Sequence, residues 1–150
     1  MTETAKRPLV TSTGLITAAL AVTLPILADR LILSAMTEVK DVGIGPVIGM
    51  AAYTAAPFLL LDSAMRPRRR VRLALWMGLA LTALVWAAFA QTGRAAQIDP
   101  AAGNAHIGLF ILTMIWPVLI AGVMGAAAKV GEAKIGETEE AKIGETEHVA

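Results

Sequence analysis

Apolar residues run without a charged side chain through four stretches of the chain: Pro8 to Ala28, Val42 to Leu61, Leu73 to Gly93 and Pro100 to Ala128. A helix rising ~1.5 Å per residue needs about 20 residues to cross roughly 30 Å of hydrocarbon, and each stretch has them. The pattern predicts an all-α, integral membrane four-helix bundle occupying residues 1–128. The expected spans are about 9–28 (or 14–36), 43–62, 73–92 and 106–127. Residues 129–150 are left as a flexible acidic tail.

Composition strengthens that reading. Of 150 residues, 56% are hydrophobic, and the mean hydropathy is +0.64, too apolar for a soluble domain of this length. Net charge is +1, so nothing global points to a nucleic-acid partner. The absence of Cys excludes disulfides, thiolate metal sites, iron–sulfur clusters and a thiol nucleophile. Arg preferred over Lys near the spans, together with abundant Ala, suggests a bacterial protein from a GC-rich genome.

The cations predict an orientation. Lys6 and Arg7 precede the first span; Arg66, Arg68, Arg69, Arg70 and Arg72 link the second and third; Lys129, Lys134 and Lys142 follow the fourth. Ten of the thirteen cations thus fall on one side of a four-span topology, leaving Arg30, Lys40 and Arg94 on the other. Basic loops stay cytoplasmic, so both termini are expected inside, in the inner (cytoplasmic) membrane of a bacterium. Topology explains the five-Arg link, and binding of anionic lipid head groups there is the alternative. The basic start and apolar run could also form a signal peptide, but Ile26 stands where the cleavage site needs a small residue.

Within the spans, small residues recur at helical spacing: Gly14 and Ala18; Gly45, Gly49, Ala52 and Ala56; Ala74, Gly78 and Thr82; Thr113, Pro117, Ala121 and Gly125. Such faces let helices approach closely, and packing inside the bundle is preferred here over a dimer face. Trp76, Trp86 and Phe89 lie towards the two ends of the third span and read as interfacial anchors. Trp116 falls near the middle of the fourth, where packing is preferred over substrate contact.

Ionisable groups near a span are where function would show. Asp62 closes the second span, with Arg66 four residues on as a possible partner across one turn. Asp29 and Arg30 are followed by more apolar residues, Leu31 to Met36. Either the first span ends at Ala28 and the pair is interfacial, which is the preferred reading, or one helix runs from about Gly14 to Met36. In the second case Thr17, Ala21, Pro25 and Asp29 share a face, setting a lone acid beside a proline. His106 and His148 fall on opposite sides, and no catalytic, cofactor-binding or metal-ligating constellation is present. Enzyme chemistry and cofactors are therefore not expected.

Asp-Pro and Gly-Asn between the last two spans signal a turn. The tail reads AKIGETE twice, at 133–139 and 141–147, with three Lys against six Glu and Gly in each copy. That composition predicts mostly disordered chain. The expected partners are the lipid bilayer and either another membrane protein or a second copy. The expected function is an accessory or scaffold subunit of a larger membrane complex. Alternatives are a small homo-oligomeric transporter or channel using Asp29 and, more weakly, a holin-like pore former. Candidate functional residues are Asp29, Arg30, Asp62 and Trp116.

Overall fold

A computed structural model describes residues 10–34, 44–65 and 69–147, the stretch beyond 129 as backbone only. Four helices make up the described chain: α1 (Ser12–Leu33), α2 (Ile44–Ala64), α3 (Arg69–Ile98) and α4 (Gly103–Glu147), with a short 3-10 turn at Pro100–Ala102. No strand occurs among the described residues. All four helices are long and apolar enough to cross a membrane. Around the bundle the order is α1, α2, α4, α3, so α1 and α4 lie across a diagonal without close backbone approach.

Thr11 starts α1. Its backbone is extended, and its hydroxyl accepts a hydrogen bond from the Gly14 N–H, satisfying one of the free donors of the first turn. The helix then runs unbroken past Asp29 and Arg30 to Leu33, so it does not stop at Ala28. A charged pair one turn from a helix end marks no boundary when the residues after it remain good helix formers. The stretch from Ala35 to Met36 and the loop beyond it lie outside the described residues.

α3 extends beyond its expected span at both ends, taking in Arg69 to Arg72 and Gly93 to Ile98. It ends at Asp99-Pro100, where proline cannot continue the hydrogen-bond ladder. The Asp99 carboxylate accepts from the Ala101 N–H at 2.9 Å and opens the turn that reverses the chain. α4 then continues through the AKIGETE repeat to Glu147, helical in its backbone where disordered chain was expected. Ala, Lys and Glu are strong helix formers, and their sum outweighs the three glycines at positions 131, 136 and 144.

Small residues bring the helices together. One cluster joins Ala18 and Ala21 of α1, Ala55 and Phe58 of α2, and Ala74 and Leu75 of α3 to Ile120 and Met124 of α4. A smaller one gathers Ala28, Trp86 and Ala90. Gly78 is required by close approach: a methyl group there would lie 2.8 Å from Met124 Cγ. Four threonines, Thr17, Thr54, Thr82 and Thr113, one from each helix, are fully buried and return their hydroxyl protons to carbonyls of their own helix. The outside is apolar, with Leu60, Leu84 and Val118 each 67% exposed. Water would not stabilise that surface, whereas lipid tails solvate it.

The small faces divide. Gly14, Ala18, Ala74, Gly78 and Thr82 point into the bundle, whereas Gly45, Gly49 and Ala52 face outward, with nothing within 4 Å of either glycine's Cβ position. Packing inside the bundle therefore accounts for the faces of α1 and α3 but not for that of α2.

Candidate functional site

Two carboxylates lie inside the helical bundle, at opposite ends. Asp62 sits in the last turn of α2, only 3% exposed. That end of a helix disfavours a negative charge, yet Asp62 faces the start of α1, where free N–H groups favour one. Its two oxygens accept from the Thr11 N–H at 2.5 Å and the Thr11 hydroxyl at 2.7 Å. Thr11 Oγ1 in turn accepts from Gly14, so one side chain joins the end of α2 to the cap of α1. Gly14 has no side chain because none fits: a Cβ would meet the Asp62 carboxylate and lie 2.7 Å from its Cβ. The described partner of Asp62 is thus Thr11, 51 residues away, while Arg66 lies outside the described residues.

Asp29 is placed differently. Thr17, Ala21 and Pro25 form a buried face of α1, and Asp29 continues it, half-buried, one turn from the helix end. It opens on a pocket of about 260 Å³ to which all four helices contribute. Pro25 and Asp29 come from α1, Pro46 and Met50 from the start of α2. Trp86 and Phe89 of α3, with Phe110 and Thr113 of α4, close the far side. Phe89 stands nine residues before the end of α3 and Phe110 seven after the start of α4. At ~1.5 Å per residue those helices rise roughly 10–14 Å beyond the pocket, while α1 ends about one turn past Asp29 and α2 starts two residues before Pro46.

The pocket wall is aromatic and ordered. Trp86 meets Phe89 edge-on with centroids 5.5 Å apart, and Phe89 lies 6.3 Å from Phe110. Above it, His106 stacks on Phe89 at 4.6 Å and brings Nδ1 to 3.4 Å from the Thr92 hydroxyl. Among the described residues Asp29 is the one charged residue lining the pocket, and its carboxylate has no hydrogen-bond or ion-pair partner there. Thr113 donates its hydroxyl proton to the Phe110 carbonyl at 2.7 Å. A carboxylate against apolar walls, with water partly excluded and no described cation paired with it, favours a bound positive charge.

Neither a protein-family model, a curated protein nor a solved structure matches the chain. Geometry alone carries the functional reading.

The remaining candidates are dispersed. Arg30 is exposed, on a different side of α1 from its neighbour Asp29. Trp116 donates from Nε1 to Thr82 Oγ1 at 3.0 Å, tying α4 to α3, and does not line the pocket. Arg69, Arg70 and Arg72 are exposed at the start of α3, and Arg66 and Arg68 lie outside the described residues. No group of three His, Cys, Asp or Glu able to hold a metal occurs among the described residues. Trp86 and Phe89, read from the sequence as anchors, are pocket walls: Trp86 is only 5% exposed, against 46% for Trp76. A signal for this was present. Trp86 continues the Ala74, Gly78, Thr82 stripe by one further step of four, onto the inward face of α3.

Proposed function

We propose that the chain is a small membrane transporter or channel that works as a homo-oligomer and takes its solute at Asp29. The observation that carries this reading is the Asp29 carboxylate, without a partner among the described residues, in a largely apolar pocket shared by four membrane-length helices. An ionisable group within a membrane-spanning helix is costly and is retained where it meets a substrate or an ion. The excess of cations at the end of the bundle holding Thr11 and Arg69 supports cytoplasmic termini and a bacterial inner membrane. The acidic repeat of α4 would then extend into the cytoplasm.

A second reading, an accessory or scaffold subunit, is favoured by the outward face of Gly45, Gly49 and Ala52 on α2. Small residues on a lipid-facing surface suit close contact with another membrane helix. Extraction from native membranes in mild detergent, followed by native mass measurement, separates the two. A homo-oligomer supports the transporter; stoichiometric larger chains of other sequence support the scaffold and overturn it.

A further inference from the structure

Resting on the Asp29 reading above, we infer that the pocket binds a monovalent organic cation with a compact apolar body. Its charge lies against the Asp29 carboxylate and its body against Trp86, Phe89 and Phe110.

The lining decides the charge. Asp29 is negative and no Lys or Arg lines the pocket among the described residues, so an anion would meet repulsion without compensation. A neutral apolar solute would strip water from the carboxylate and leave it unpaired. A bare metal ion needs more donors than the described wall offers: hard cations take about six to eight oxygens, and the described side chains supply one carboxylate and one hydroxyl. An organic cation needs no coordination sphere. One carboxylate matches one positive charge, and aromatic faces attract a cation whose own surface is greasy.

The volume decides the size. About 260 Å³ is the room of roughly nine water molecules at ~30 Å³ each. It falls just under the ~300–1,000 Å³ of sites for drug-sized ligands. A single aromatic ring bearing a quaternary ammonium fills it. Two prolines and a set of aromatic rings in mutual contact restrict the freedom of this part of the lining, which lowers the cost of ordering it around a ligand.

Trp86 provides the signal. Full-length protein in nanodiscs of zwitterionic lipid would be titrated with benzyltrimethylammonium and with neopentylbenzene, its neutral carbon isostere, following tryptophan fluorescence against empty nanodiscs. Desolvated cation–π contact and the ion pair together predict a preference of more than tenfold for the cation. Asp29→Asn should reduce that preference to the few-fold that the aromatic contact alone supplies, and Asp29→Glu should keep it. Equal binding of the two probes by the wild-type protein overturns the cation class while leaving the pocket as a solute site. A preference undiminished in Asp29→Asn overturns the role given to the carboxylate. No saturable signal from either probe overturns both this inference and the reading on which it rests. The wild-type ratio needs no variant, so a misfolded substitution cannot shield the proposal.

Discussion

Asp62 and Asp29 are the same side chain in two settings, each near one end of a four-helix bundle. Around Asp62 the structure is closed: both oxygens are engaged by Thr11, Gly14 leaves the space, and the carboxylate is almost wholly buried. Around Asp29 the walls stand back, leaving a recess of aromatic and aliphatic groups with no described partner for the charge. The same chemistry therefore does opposite things. A carboxylate whose lone pairs are filled from within stabilises the fold and has nothing left to offer a ligand. One left facing a cavity weakens the fold slightly and keeps its interaction for something from outside.

The sharpest way to break the comparison is at Gly14. A Gly14→Val substitution drives a branched side chain into Asp62, separating the end of α2 from the cap of α1. A loss of about 3 kcal/mol or more is expected from overpacking plus the broken hydrogen bonds, read as a lower unfolding temperature in detergent. Thr11→Val is a milder cut. It removes the cap and one of the two bonds to Asp62 but keeps the backbone donor, and should cost about 1–2 kcal/mol in the same measurement. Neither change should alter a ligand site at the other end in protein that remains folded.

Smaller effects are expected where neither carboxylate is touched. Trp116→Phe loses the bond to Thr82, worth about 0.6–1 kcal/mol in a membrane bundle, and leaves solute binding as it was. A binding change on that substitution would move the site from the Asp29 pocket towards the bundle centre. Gly49→Ala adds a methyl group into open space, so the stability of the single chain should stay within about 0.5 kcal/mol. Should α2 be a contact face, the same substitution would reduce the oligomer or complex seen by native mass measurement.

Much of this contrast is legible in the sequence, and the illegible part has physical causes. Long uncharged runs announce helices of membrane length, and the i, i+4 series Thr17, Ala21, Pro25, Asp29 places the acid on one face of α1. The spacing does not say where α1 ends, because an Asp-Arg pair suits an interface as well as an internal turn. Partners remote in the chain leave no periodic trace, so Arg66, four residues from Asp62, is the visible candidate and Thr11 is not. Trp86 shows the limit of reading aromatics by depth alone: its distance along α3 suits an anchor, and only its angular position shows it facing inward. In the tail, the glycines and the excess of Glu argue for disorder, against the summed propensity of Ala, Lys and Glu for helix.

The most direct test is a pair of substitutions, Asp62→Asn and Asp29→Asn, compared by thermal unfolding of the purified protein in one detergent. Each removes a charge and keeps the shape. Loss of the charge-assisted bonds to Thr11 should cost Asp62→Asn about 1–3 kcal/mol, while Asp29→Asn should unfold at the wild-type temperature or slightly above it. An Asp29→Asn protein destabilised as much as Asp62→Asn would contradict the account, because Asp29 would then be holding the fold rather than awaiting a ligand.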